Sequence, residues 1–141
     1  NEMQPTSNVS WRSFDKRWRR LRLRALLEHL DEKRLLAELL RKSAVDDFEA
    51  VVAVRMLRDA GRSRDAITQA EQWIRALPRS PVLADALFDL YCEDGWDEEA
   101  LALATTHYGY DPNPMWIEKL GRLSLPAAKA QIKVWKKQQA A

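Results

Sequence analysis

The central stretch of the sequence, Gly61–Pro112, repeats with a period of 34 residues. Four pairs of like residues stand at this interval: Gly61 and Gly95, Ala66 and Ala100, Ala70 and Ala104, and Pro78 and Pro112. Self-similarity at this period is typical of helix–turn–helix units that stack on copies of themselves. No segment shows the alternation of a strand, so the sequence predicts an all-α fold of about seven or eight helices arranged as antiparallel pairs.

Each repeated residue type has a physical role in such a unit. We expect Gly61 and Gly95 to adopt positive φ where one helix ends and the chain reverses. Small side chains at Ala66 and Ala100 allow the two helices of a pair to cross closely. The second helix ends at a proline, and an N-cap residue followed by proline starts the next helix, at Ser80–Pro81 and Asn113–Pro114.

The spacing resembles the tetratricopeptide (TPR) repeat. Two sets of residues fall on signature positions: Leu57, Gly61, Ala66 and Pro78 when counting from Asp47, and Leu87, Tyr91, Gly95, Ala100 and Pro112 when counting from Pro81. The sequence departs from the pattern where Val54 and Phe88 stand at a usually small position and Trp73 and His107 at one usually occupied by Ala. The resemblance implies a short right-handed α-solenoid, here with wider helix crossings, that acts as a scaffold for protein binding.

In TPR arrays the first helix of each pair lines the binding groove. The resemblance implies that the groove residues here are Val51, Arg55, Arg58, Asp85, Asp89, Glu93 and Lys119. Independently of the family, Asp85, Asp89 and Glu93 are spaced by four and form one acidic row along a helix. The interpretation stays open: the charges bind a peptide or partner domain, or they pair with one another across the helices, or they are simply solvated.

The segment after Ser10 predicts an amphipathic basic helix. Trp11, Phe14, Trp18, Leu21 and Ala25 form its apolar stripe, and its other side carries Arg12, Lys16, Arg17, Arg19, Arg20, Arg22 and Arg24. These cations predict either a solvated face, a docking surface for an acidic partner, or phosphate contacts to nucleic acid. A nucleic-acid-associated module is therefore the alternative to the peptide-binding module.

The remaining segments complete one helical-repeat domain over residues 10–141. We expect a disordered lead at 1–9, an N-terminal helix pair at 10–46, two repeats at 47–114, and C-terminal capping helices at 115–141, where the 34-residue register ends. Ser43 or Asp46 can cap the third helix, and Glu49, three residues after Asp46, completes a capping-box pattern.

Two further resemblances concern parts of the chain. The Arg-rich segment Trp11–Leu30, the Leu-rich segment Glu32–Leu40 and the two repeats resemble the helical C-terminal region of bacterial SWIM-type zinc-finger proteins. That resemblance implies a fragment or stand-alone relative, because the Cys/His zinc motif is not in this sequence. Ala86–Leu101 also resembles a pentatricopeptide repeat, a class that binds RNA.

The sequence offers few residues for catalysis. His29, His107 and Cys92 are not at the spacing of a zinc site, and the four glycines form no phosphate-binding loop. We therefore expect no cofactor, no metal and no enzymatic activity. The single cysteine, the near-neutral net charge of +2 and the lack of an apolar stretch of about 18–20 residues predict a cytoplasmic protein that is not bound to a membrane.

Overall fold

A computed structural model of the protein describes residues 14–21 and 32–141, and every regular element in these ranges is an α-helix. The predicted all-α class and the expected number of helices are confirmed. The helices are α1 at 14–21, α2 (Glu32–Arg41), α3 (Asp47–Asp59), α4 (Ser63–Ala76), α5 (Pro81–Glu93), α6 (Asp97–Tyr110), α7 (Met115–Leu120) and α8 (Pro126–Ala140). The predicted disordered lead at 1–9 lies outside the described residues. Within those residues, no helix has the length and apolar character that crossing a membrane requires.

The described chain separates into two compact units, and the boundary falls inside α5, between Ala86 and Leu87. In the first unit α3 is the central helix and packs against α2 and α4. Its run of Val51, Val52, Ala53 and Val54 is almost completely buried, since α3 has neighbours on more than one side. On α4, the predicted small residues Ala66 and Ala70 have no exposed surface. Their size lets α3 and α4 approach closely.

The turns after α3 and α5 have the same geometry, as the 34-residue repeat predicts. Gly61 has a φ of 77° and Gly95 a φ of 78°. At the first turn the amide of Arg62 donates to the carbonyl of Leu57 at 2.9 Å, and the Gly61 amide donates to the Arg58 carbonyl at 3.0 Å. These two bonds define a Schellman motif, which satisfies the last carbonyls of the helix.

The second turn repeats that motif in the other unit. The amide of Trp96 donates to the carbonyl of Tyr91 at 2.8 Å, and the Gly95 amide to that of Cys92 at 3.2 Å. The Trp96 and Tyr91 rings stack with centroids 5.9 Å apart, which supplies the apolar contact that accompanies this motif.

The predicted starts of α3 and α5 are confirmed by their hydrogen bonds. The predicted start of α7 is wrong by one residue, because Pro114 and not Asn113 is the N-cap residue and the helix begins at Met115. Asp46 accepts from the Glu49 amide, and Glu49 accepts in return from the Asp46 amide, so both halves of the capping box are present. Ser80 Oγ accepts from the Leu83 amide at 3.2 Å and caps α5. Asn113 Oδ1 accepts from the Met115 amide at 2.9 Å and precedes α7.

The second unit buries Tyr108 and Trp135 between α6 and α8. α7 packs against α6 and α8. Tyr108 of α6 stacks on Trp135 of α8 with ring centroids 4.0 Å apart. Gln139 then donates both to the Tyr108 hydroxyl at 3.0 Å and to the Pro112 carbonyl at 2.7 Å. These contacts attach the last helix to the end of α6.

Candidate functional site

One member of the acidic row predicted on α5, Asp89, forms ion pairs with two cations of the second unit. Asp89 Oδ1 accepts from Lys119 Nζ at 2.9 Å and from Arg122 Nη1 at 3.1 Å. On the same helix, Asp85 is half-buried and Glu93 is exposed. At Asp89, the interpretation that the charges pair across helices therefore agrees with the structure.

Lys119 is a buried cation and not a solvent-facing groove residue. Only 4% of its surface is exposed, and its ammonium lies 5.0 Å from the centre of the Phe88 ring. Burying an ammonium is costly unless a counter-charge accompanies it. Asp89 supplies that charge, and the face of Phe88 adds a cation–π contact.

A series of aromatic contacts extends from the Phe88 ring in the second unit. Trp116 meets Phe88 edge-on at 6.1 Å, His107 lies 5.9 Å from Trp116, and Tyr110 meets His107 edge-on at 5.3 Å. Burial lowers the pKa of His107, so the imidazole is neutral at pH 7. The departures from the TPR pattern at Phe88 and His107 were the sequence signal for these contacts.

The groove residues of the first unit also make internal contacts. Arg55 lies with its guanidinium 4.7 Å from the centre of the Phe14 ring, and Phe14 packs on Phe48 with centroids 5.2 Å apart. Arg58 donates to the carboxylate of Asp59 at 3.2 Å. Val51 has no exposed surface.

The basic residues of α1 fall into two sets. Arg17 lies over the Phe48 ring at 4.1 Å and comes within 3.7 Å of the Asp46 carboxylate. Lys16, Arg19 and Arg20 are exposed and, with Asp15, line an open cleft of about 610 Å³. Three other members of the predicted basic patch, Arg12, Arg22 and Arg24, lie outside the described residues.

A second cleft, of about 500 Å³, lies between α7 and α8. Ile117 and Ile132 form its aliphatic surface, Glu118 and Lys136 lie on it with opposite charges, and the remaining lining residues are Pro114, Gly121 and Gln139. The sequence pattern does not predict this cleft. The only available signal was that residues 115–141 break the repeat register, which did not indicate how the two helices meet.

The thiol of Cys92 is not activated as a nucleophile. Burial, followed by the charges of Asp89 and Asp97, raises the pKa of the half-buried Cys92 thiol, so the thiol is protonated at neutral pH. The described residues contain no cluster of three or more His, Cys, Asp or Glu side chains that could hold a metal. His29 lies outside those residues.

Comparisons with protein-family models, with curated proteins and with solved structures find no match for this chain. Its function is therefore inferred from its own residues.

Proposed function

We propose that the protein is a non-enzymatic interaction module that binds a peptide segment of a partner protein in the α7–α8 cleft. The observation that carries the proposal is the composition of this cleft, whose aliphatic surface is open to solvent while charges of both signs stand beside it. Concave sites with apolar linings and a few polar groups are where proteins bind ligands. The TPR-like spacing supports the same class of function.

The cleft defines the chemistry of its occupant. Ile117 and Ile132 are each half-buried and retain apolar surface that an aliphatic side chain of a partner can cover. Such burial contributes about 25 cal/mol per Å². Glu118 favours a basic residue of the peptide, and Lys136 favours an acidic one. The occupant is thus a segment with an aliphatic anchor flanked by residues of opposite charge.

The α7–α8 cleft is a better candidate than the groove that the TPR resemblance implies. In that groove Asp89 and Lys119 compensate each other, and Arg55 covers the Phe14 ring. A partner that recruited these charges would first have to break their internal contacts. No comparable contact has to be broken at Ile117 or Ile132 before a side chain can reach them.

The proposal is tested with peptides selected from a random displayed library on the wild-type protein. Their affinities are then measured by fluorescence anisotropy for wild type, Ile132→Glu and the control Lys133→Glu, which changes an exposed neighbour on α8. We expect Ile132→Glu to weaken binding at least about tenfold, since it places a charge on the apolar surface. Lys133→Glu should change the affinity less than about twofold, because charges at the rim of an interface contribute little to affinity.

Two outcomes contradict the proposal. One is a selection that yields no peptide with saturable binding. The other is a set of peptides that bind wild type and Ile132→Glu equally while circular dichroism reports the same helix content. Reversing both rim charges, with Glu118→Lys and Lys136→Glu, should invert the charge preference of the selected peptides.

A further inference from the structure

The described residues that line the cleft on α1 differ in charge from those that line the α7–α8 cleft. The described residues that line it are Asp15, Lys16, Arg19 and Arg20, all of them charged and exposed. Three cations against one carboxylate give this cleft a positive potential.

Among residues 14–21 and 32–141, the three cations have no hydrogen-bond or ion-pair partner that explains their arrangement. Within the described ranges, Lys16, Arg19 and Arg20 have no hydrogen bond or ion pair, whereas the neighbouring Arg17 is engaged with Phe48 and Asp46. Positions 16, 19 and 20 follow the i, i+3, i+4 spacing, so the cations lie on one helix face and repel each other. A bound anion would remove this repulsion.

We infer that this cleft binds the phosphodiester backbone of a nucleic acid, with Lys16, Arg19 and Arg20 contacting phosphate groups. This site is separate from the peptide site proposed at α7–α8 and is independent of it. Arginine presents a planar fork of donors that matches two phosphate oxygens, and lysine contributes a mobile point charge. Binding of this kind recognises charge and not base sequence.

The composition of the cleft favours nucleic acid over an acidic protein. The core of a protein–protein interface is depleted of charged residues, whereas each described residue that lines this cleft is charged. The affinity of nucleic-acid binding, in contrast, comes largely from cations that displace counterions from phosphates. The net charge of the whole protein is only +2, so attraction must be local to this cleft.

The test measures binding of fluorescein-labelled duplex DNA, single-stranded DNA and single-stranded RNA by anisotropy between 50 and 200 mM salt. With three phosphate contacts, the affinity for duplex should fall about 40-fold over this range, and that for single strands about 20-fold. The variant Lys16→Gln, Arg19→Gln, Arg20→Gln should lose this salt dependence and bind at least about tenfold more weakly at 50 mM.

The matched control is Lys129→Gln, Lys133→Gln, Lys137→Gln, which removes three exposed cations spaced along one face of α8. This control variant should keep nearly all of the wild-type affinity for nucleic acid and the same dependence of affinity on salt concentration. Equal losses of affinity in both triple variants would show that binding depends only on net charge and would overturn the inference. So would tighter binding of a poly-glutamate peptide than of any oligonucleotide, or no binding to nucleic acid at 50 mM salt. Unchanged helix content by circular dichroism in both variants excludes unfolding as the cause.

Discussion

The hydroxyl of Ser80 donates to Oδ2 of Asp47 at 3.2 Å, and both side chains are completely buried although 33 positions separate them in the sequence. Ser80 Oγ also accepts from the Leu83 amide, so one hydroxyl caps α5 and contacts the first residue of α3. Asp47 Oδ1 has no hydrogen-bond partner in the described part of the chain. The pair therefore links two helix starts at the cost of an incompletely satisfied buried carboxyl group.

Ser80→Ala should lower the free energy of unfolding by about 2 kcal/mol or more. The substitution removes an N-cap, which contributes about 1 kcal/mol, and leaves Asp47 without its hydroxyl partner. Urea denaturation measures the change. Ser80→Thr retains a hydroxyl and serves as the control, with a clearly smaller loss. A loss below about 0.5 kcal/mol for Ser80→Ala would mean that the pair does not contribute to stability.

Asp47 should make the protein less stable as the pH rises from about 4 to about 6. Burial raises the pKa of Asp47 from 3.8 to about 6, against the opposing effect of the Ser80 hydroxyl. The folded state thus holds a proton that the unfolded chain releases near pH 4. Deprotonation costs stability between these two pKa values and adds no further cost above them.

The measurement compares wild type with Asp47→Asn by urea denaturation between pH 4 and 8. The stability of Asp47→Asn relative to wild type should increase by about 2 kcal/mol from pH 4 to pH 7, since each pKa unit corresponds to about 1.4 kcal/mol and the unfolded chain is already partly ionised at pH 4. His107 acts in the opposite direction, because burial lowers its pKa and stability is lost as the pH falls through 6.5. His107 is present in both proteins, so the difference between their free energies of unfolding reports the effect of Asp47. A difference that does not vary with pH would contradict the prediction.

Gly61→Ala and Gly95→Ala should each destabilise the protein by about 1 kcal/mol. A Cβ at either position would meet no atom within 4 Å, so the cost comes from positive φ alone. Gly109→Ala is the matched control, because Gly109 lies in the last turn of α6, has no positive φ, and also has free space at its Cβ. It should stabilise the helix by about 0.5 kcal/mol or more. Similar changes at all three positions, measured by urea denaturation, would contradict this account.

The sequence predicted the features that depend on neighbouring residues. The Schellman turns at Gly61 and Gly95 and the caps at Asp46 and Ser80 are each defined by residue types within six positions. Their hydrogen bonds are local, so the residue type and its offset are sufficient to predict them. The burial of the Ala residues on α4 and α6 follows from the same spacing.

The contacts between distant segments could not be predicted in this way. The Asp47–Ser80 pair and the α7–α8 cleft depend on how side chains pack after the helices meet. Lys119 was placed in the groove by extending the repeat into residues 115–120, but α7 has only six residues and buries this ammonium beside Phe88. The residue type of Lys119 alone did not distinguish a lysine exposed in a groove from a buried lysine with a counter-ion.

Cys92 should react slowly with thiol reagents at neutral pH. Only the thiolate is nucleophilic, and burial together with Asp89 and Asp97 raises the pKa of this thiol. Rates with a disulfide reagent between pH 7 and 9 should lie below those of a free cysteine peptide. Asp97→Asn should increase the rate modestly, because it removes one of the negative charges. A rate equal to that of the peptide at pH 7 would contradict the prediction.

The pairing of Asp89 with Lys119 changes how charge substitutions on α5 are interpreted. Asp89→Asn should cost about 3 kcal/mol of unfolding free energy, because it leaves the buried ammonium without its main counter-charge. Lys119→Met keeps a long side chain against Phe88 and removes the charge, so it should be close to neutral. In the Lys119→Met background, Asp89→Asn should then cost less than about 1 kcal/mol. If instead Asp89→Asn does not change the stability of the wild-type protein, the carboxylate of Asp89 does not stabilise the fold. Asp89 is then free to bind a partner, as the groove interpretation requires. Reversing its charge would in that case test partner binding without changing stability.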